Sequence, residues 1–371
     1  MKKEENKVMK KSMISKLAAV AALMTVSLAG CAGSTGSSAT SQTTGAASQA
    51  ASTEAAKTEA GTSAPSQTAL EDYKVALLLP GTVNDKGWNQ GAYEGLQMIE
   101  KETGCQTAYS EKVAATEYEN VFRGYADQGY NLIIGHGYQF ADAAMKVAPD
   151  YLDSMFCITS ADIYQEPNVC SLENLNGEQG FLAGVVAAMA SKSGVVASVG
   201  GLEIPAIVYF NQGFVQGAAY VNPDIKALTA LTGNFDDAAK VKEQTNAFIQ
   251  QGADVVTHDA NAAGLGMFEA VRENEGVYAI GSIGDQYDLL PEKTLTSATN
   301  EISKAILLAA QYQLSGELRP VSYKFGVKEE VIGLADFRDF KSVFTEEQLT
   351  ELEAIKKRIS DGEIKVEVSL K

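Results

Sequence analysis

Histidine, tryptophan and positive charge are scarce in this 371-residue chain, which has two histidines, one tryptophan and 30 basic against 47 acidic residues, a formal charge of -17. His136 and His258 are all the imidazole available, too little for a histidine-rich metal centre. The acid excess excludes a nucleic-acid surface, because such a body repels a phosphate backbone. The apolar run 17–28 falls short of the roughly 20 residues that cross a bilayer, and the average overall composition excludes a multi-span membrane chain. Cysteine is sparse as well: beyond Cys31 there are Cys105, Cys157 and Cys170, an odd number that cannot all pair within one molecule. Cys157 and Cys170 lie in apolar or strand-like contexts that suit buried free thiols, with a disulfide between them left open. What is plentiful is ordinary: 45% hydrophobic and 21% charged residues describe a folded soluble protein.

The N-terminus departs from that average. Lys2, Lys3, Lys7, Lys10, Lys11 and Lys16 precede the apolar run, which exits through Leu28-Ala29-Gly30-Cys31. A basic flank, a short apolar stretch and a small-residue exit read as a secretory signal over 1–30. The tetrad resembles a bacterial lipobox, which implies cleavage before Cys31 and a lipid-modified Cys31 as first mature residue, anchored to the membrane rather than spanning it. Residues 31–68 are mostly Ser, Thr, Ala, Gly and Gln, too poor in large apolar groups to order, and read as a flexible tether. Removing six lysines and two glutamates with 1–30 leaves 24 basic and 45 acidic residues, a charge of -21.

From Tyr73 the chain alternates short aliphatic runs with helical patterns. Residues 74–79 form a strand without polar alternation, the mark of a parallel strand covered on both faces. A helix over 89–103, strand 105–110, helix 116–129, strand 131–135, helix 140–148 and strand 155–159 complete a first β-α series. A second runs helix 177–192, strand 195–200, helix 207–221, strand 226–231, helix 236–251, strand 253–257, helix 264–274 and strand 277–281. A helix over 301–315, a strand pair near 322–334 and a capped helix over 345–359 follow. Two α/β units of this grammar place ligand crevices at the carboxyl ends of their strands, and the cleft between them is the expected binding site.

The first strand-to-helix turn, Asn84-Asp85-Lys86-Gly87-Trp88, sets amide and carboxylate groups beside the only tryptophan. A stacking ring with such hydrogen-bonding groups suits a flat heterocycle. The same residues equally make a helix cap and a core tryptophan. His136 and His258 each end a predicted strand on the cleft side, as ligand contacts or as loop caps. Gly264, in Gly264-Leu265-Gly266, begins a predicted helix where backbone can approach a ligand. No pattern supports a metal site, a cofactor or an enzyme: the zinc-deaminase, Gly-x-Ser-x-Gly and P-loop signatures are absent from the sequence.

The stretch 84–96 resembles the opening signature of the basic membrane protein family, lipoprotein receptors of ABC importers whose best-understood members bind purine nucleosides. Ordered matches continue through Gly177-Glu178-Gln179-Gly180-Phe181-Leu182-Ala183-Gly184, Gly213-Phe214-Val215-Gln216-Gly217-Ala218, Gly252-Ala253-Asp254-Val255-Val256, Gly284-Asp285-Gln286 and Leu295-Thr296-Ser297, covering 72–335. The resemblance implies a type I periplasmic-binding-protein fold of two doubly wound β-α domains joined by three crossovers and closing by a hinge, with an ABC permease and its ATPase as partners. It places an N-terminal lobe at 69–174 plus 298–324, a C-terminal lobe at 175–297 plus 325–335, and a helical extension at 336–371. The crossovers fall near Asn174, near Ser297 and after Lys324.

By the same resemblance Trp88 and Phe235 occupy the positions of two rings that clamp a purine, and Asp142 that of an acidic residue on the base. Two family groups that touch ribose, an Asp and a Lys, fall at Ile283 and Asn300, and a further family Asp falls at Leu79. Sugar hydroxyls without partners cost about 1–3 kcal/mol per buried group, which implies a free nucleobase such as adenine in preference to a nucleoside. The alternative is ribose held by Asn300, Asp285 or His258. The runner-up function is a sensor that presents a heterocycle to a signalling membrane partner.

Overall fold

The computed structural model describes residues 72–85 and 87–370. The expected signal segment, Cys31 and the tether lie outside the described residues. Strand β1 (Lys74–Leu78) shows why the sheets are parallel: four of its five residues are fully buried, so both faces are covered by helices. It lies in a six-stranded sheet of order β11-β5-β4-β3-β1-β2, with β2 Gln106–Ser110, β3 Leu132–Gly135, β4 Met155–Thr159, β5 Val169–Asn174 and β11 Ser322–Phe325, all parallel. A second sheet repeats the order as β12-β10-β9-β8-β6-β7, with β6 Val195–Gly200, β7 Lys226–Leu231, β8 Val255–Asp259, β9 Tyr278–Ile283, β10 Thr294–Asn300 and β12 Ile332–Leu334. Only β12 runs antiparallel to its neighbour. This is the doubly wound, three-crossover arrangement of the type I periplasmic-binding-protein fold expected from the sequence.

Helices α1 (Trp88–Thr103) and α8 (Ile302–Leu314) cover one face of the first sheet, and α2 (Tyr118–Asp127) and α3 (Ala141–Val147) the other. On the second sheet α4 (Asn176–Ala190) and α5 (Pro205–Val221) oppose α6 (Ala238–Gln250) and α7 (Leu265–Glu273). Helix α4 follows a strand of the first sheet yet packs on the second, and α8 does the reverse, so both connections are true crossings. Cys157 and Cys170 are register partners on β4 and β5, both buried free thiols. The adjoining Cys170 thiol and burial push the Cys157 thiol up.

Strands β5 and β10 are not part of the β-α series predicted from aliphatic runs, although Cys170 of β5 lies in a strand-like context. They carry Ser, Thr and Asn and lack an aliphatic run, yet they are buried because those hydroxyls find carbonyls: Ser171 donates to Ile163 (2.6 Å) and Thr296 to Ala335 (2.7 Å). Because β10 continues to Asn300, the chain leaves the second sheet at Glu301, a few residues beyond Ser297. The crossings are laced together. Asn174 donates through Nδ2 to Asn300 Oδ1 (2.6 Å), Leu175 N to Phe325 O (2.8 Å), Glu301 N to Val331 O (2.7 Å) and Val327 N to Glu178 Oε2 (2.8 Å).

The 336–371 stretch, expected as an extension, is part of the second lobe's core. Phe337 and Phe344, with Leu352, Ile355 and Ile359 of α9 (Glu346–Ser360), join the cluster around Phe181 and Phe210. The following extended segment is held by Gln212 and Gln216 of α5, whose amides each donate to and accept from its backbone at Ser369 and Glu367.

Helices α4 and α5 touch backbone to backbone. A methyl group on Gly180 would stand 1.9 Å from the Phe210 carbonyl oxygen, and one on Gly213 2.0 Å from that of Gly177. Neither helix backbone can retreat without opening the core, and overpacking of this kind costs about 1–3 kcal/mol or more. Gly180→Ala therefore lowers the urea unfolding midpoint by an amount equivalent to at least about 2 kcal/mol, and an unchanged midpoint contradicts the close approach.

Candidate functional site

Carboxyl edges of both sheets face a cleft of about 460 Å³. The first lobe contributes Asp85, Gly87, Gln90, Gly91 and Glu94 from the β1–α1 turn and the start of α1. From the second come Asn261, Ala262 and Leu265 after β8 and residues 282–286 at the end of β9, while Asn300, Glu301, Ile302 and Ser303 line it from the second crossing. The lobes meet at its mouth, where a methyl group on Gly87 would stand 2.5 Å from Asn261 Oδ1. Asp85, Glu94, Asp285, Asp288 and Glu301 make the lining acidic, and among the described residues no lysine or arginine lines it. Such a lining favours neutral, donor-rich or cationic ligands over anions.

Asp85 is on the wall but fully engaged. Its Oδ1 accepts from Gly87 N (2.9 Å) and Gln90 N (3.0 Å), and its Oδ2 from Asn89 N (2.9 Å) and Asn89 Nδ2 (2.7 Å). It is the cap of α1, satisfying the amides that a helix start leaves free. Asp285 also lines the cleft and is engaged: Arg338 donates to both its oxygens (3.3 and 2.5 Å), which holds its carboxyl below the usual range, while the guanidinium lies 4.2 Å from the Tyr287 ring. Asn300 lines the cleft with its Oδ1 committed to Asn174. Ile283 lines it in a left-handed backbone conformation, φ 72°, a strained state for a β-branched residue and frequent at ligand sites.

The other candidates stand apart from this lining. Asn84 is exposed and Leu79 is buried in the first lobe's core. Trp88 stacks on His136, centroids 3.7 Å apart at 28°. Asp142 is exposed on the first turn of α3. Phe235 lies over Gly201, where a methyl group would stand 2.3 Å from its ring. Gly264 packs against an imidazole: a methyl group there would stand 2.1 Å from the His258 ring. Lining residues that the sequence reading did not single out include Gln90, Glu94, Asn261 and Gln286. Asn261, another left-handed residue (φ 48°), was signalled only by its place after a predicted strand.

Both histidines are buried and satisfied within their own lobes. His136 accepts at Nδ1 from Thr159 Oγ1 (2.8 Å), whose oxygen accepts from Gly137 N (3.0 Å), and donates from Nε2 to the Trp88 carbonyl (3.1 Å). His258 donates from Nε2 to Gln286 Oε1 (2.9 Å), which also accepts from Ser282 N (2.9 Å). These partners suit the neutral ring. Burial lowers His136 from 6.5 to about 3 and His258 from 6.5 to about 4. Asp259, at the end of β8, is 3% exposed and its Oδ2 has no partner, so burial raises its carboxyl from 3.8 to about 7.

These shifts act on stability in opposite directions. Below 6.5 the unfolded chain binds protons on both imidazoles that the native state refuses until about 4 and about 3, so each histidine removes about 1.4 kcal/mol per pH unit on acidification through that window. Asp259 is protonated in the native state below about 7 while unfolded Asp stays ionised down to 3.8, so it returns the same amount per unit over its range. One proton net remains, and from these three groups stability falls as pH drops from 6.5 toward 4. In an NMR titration the shifts of the chain's two imidazoles stay constant from about pH 8 to about pH 5; a midpoint between 6 and 7 for either ring contradicts this burial.

Residues 73–369 match a family described as ABC transporter substrate-binding protein PnrA-like. Basic membrane protein A1 of Borrelia garinii subsp. bavariensis is 31% identical over 268 residues, which cover 70% of this chain and 79% of that protein. The ABC transporter nucleoside-binding protein BmpA of Lactococcus lactis subsp. cremoris is 34% identical over 227 residues, 58% of this chain and 65% of that one. Among solved structures, an ABC transporter solute-binding protein from Aeropyrum pernix K1 superposes with a TM-score of 0.69 at 23% identity, covering 79% of this chain and 92% of its own.

Proposed function

The chain belongs to the PnrA-like family of ABC transporter substrate-binding proteins, and from that membership we propose that it captures a purine-type ligand in its inter-lobe cleft and delivers it to an ABC permease. The family role is substrate binding, outside the cytoplasm. The purine class rests on the nucleoside-binding relative from Lactococcus and on the resemblance of the cleft segments to that family. Trp88 and Phe235 are partly exposed rings beside the carboxyl strand edges of different lobes, from which hinge closure brings two faces onto one heterocycle.

A free base, adenine foremost, is favoured over a nucleoside. The observation that carries this is Ile283 in the cleft wall, where the family resemblance places a ribose-binding Asp. An aliphatic side chain offers sugar hydroxyls no acceptor, and Asn300 already gives its oxygen to Asn174. Each unpaired buried hydroxyl costs about 1–3 kcal/mol, one to two powers of ten in affinity. Thermal unfolding with adenine, guanine and hypoxanthine, each beside its nucleoside, gives larger shifts with bases. Ile283→Asp, at a backbone angle that Asp tolerates better than Ile, raises nucleoside affinity by about tenfold or more. Nucleosides bound more tightly than bases by the unaltered chain contradict the preference.

The receptor reaches its permease on a lipid anchor at Cys31 through the 32–68 tether. Support for this is the Leu28-Ala29-Gly30-Cys31 tetrad after a basic, apolar leader. Cys31→Ala moves the protein from the membrane fraction to the soluble fraction in cell fractionation; retention on the membrane contradicts the anchor.

A further inference from the structure

Asp259 is a buried carboxylate that no protein group answers. It is 3% exposed, Oδ2 has no hydrogen-bond partner, and the carboxyl is pushed up to about 7 by burial. Other buried polar groups around it are paired: Ser198 donates to Asn211 (2.7 Å), Thr257 to the Ile280 carbonyl (3.0 Å), and Gln179 to Ser282 Oγ and the Ala298 carbonyl (3.3 and 2.9 Å). A buried acceptor left empty costs about 1–3 kcal/mol, more when charged, a cost that a donor brought by a ligand would remove.

Its place in the fold bears on this. In the second sheet β7 and β8 flank β6, so the winding direction reverses between β6 and β8, the point at which open α/β sheets bind ligands. Asp259 is the last residue of β8 and pairs there with Gly200 of β6, while its carbonyl accepts from Gly201 N (3.0 Å). The Phe235 ring lies over that same Gly201. Two residues back, Thr257 pairs with Ile280, which puts Ser282 of the cleft wall beside Asp259 on the same sheet face. Two residues on, Asn261 lines the cleft. The Phe235 ring and the backbone of Asp259 therefore meet at one glycine, and Asp259, although not itself in the cleft lining, lies between the lining residues Ser282 and Asn261.

We infer that Asp259 is a specificity-determining residue that accepts a hydrogen bond from an exocyclic amine of the ligand, so that the receptor takes amino-substituted heterocycles over counterparts without the amine. A carboxylate is an acceptor only; an N–H satisfies it, and a ring without the amine leaves it buried and empty. The acidic lining of the cleft disfavours anionic heterocycles in the same sense. The inference rests on the purine reading of the cleft and goes beyond it in naming the group recognised.

Calorimetry on the full chain compares adenine with unsubstituted purine, and guanine with hypoxanthine, for the unaltered protein and for Asp259→Leu and Asp259→Asn. The expected result is a preference of about tenfold or more for the amino member of at least one pair, lost in Asp259→Leu and reduced in Asp259→Asn. Both variants remove a buried carboxyl whose Oδ2 has no partner, so at pH 8, where that group is ionised, neither unfolds at a lower temperature than the parent. Equal affinity within both pairs overturns the inference, as does a preference that survives in Asp259→Leu, and either result leaves the purine reading standing. Failure of the unaltered chain to bind any of the four overturns both.

Discussion

The backbone contact between α4 and α5 is the constraint on which the second lobe and the hinge depend. Helix α4 arrives directly from the first crossing, and its glycines let it sit against carbonyls of α5 with no side chain between. That contact fixes the N-terminal turn of α4, which carries Glu178 and Gln179. Glu178 receives the amide of Val327 in the third crossing, and Gln179 ties β9 to β10 at the level of the cleft. A helix held loosely there would leave those two side chains, and with them the relative setting of the crossings, without a reference.

Polar groups at the carboxyl edges divide into those the protein has already satisfied and those it has not. Asp85 caps a helix, Asp285 holds Arg338, His136 and His258 are neutral spacers, and Asn300 joins the crossings through Asn174. These groups shape the cleft and present little unmet hydrogen-bonding capacity to a ligand. Asp259 Oδ2 has no partner, and neither has Asn89 Oδ1 at the start of α1, but only Asp259 is an acid whose carboxyl burial pushes up to about 7. A cleft in which most polar groups are already engaged leaves the few free ones to fix a ligand's orientation. The strained Ile283 conformation belongs to the same wall.

Much of the architecture was legible in the sequence because parallel strands buried on both faces read as aliphatic runs, as in β1 and β3. Strands β5 and β10 were not, since their hydroxyls and amides are paid for by partners distant in sequence, such as Ala335 for Thr296. The packing of 336–371 was hidden for a related reason: the apolar face of α9 shows that something is covered, but not which lobe covers it. In the site, residue type signalled polarity at the strand edges without saying which groups were already engaged. Asp85 reads equally as ligand group and as helix cap, and it both caps α1 and lines the cleft; residue type alone does not separate Asp259 from its neighbour His258. Satisfaction of a hydrogen bond is a property of the fold, and only three-dimensional partners reveal it.

A crystal structure of the chain grown with adenine tests the central claim most directly. The account predicts planar density in the cleft between the two sheets, bounded by the Ile283 and Asn300 wall, with its amine within hydrogen-bond distance of Asp259. Density for the base on an outer helix face, or an inter-lobe cleft that stays empty at saturating adenine, contradicts it.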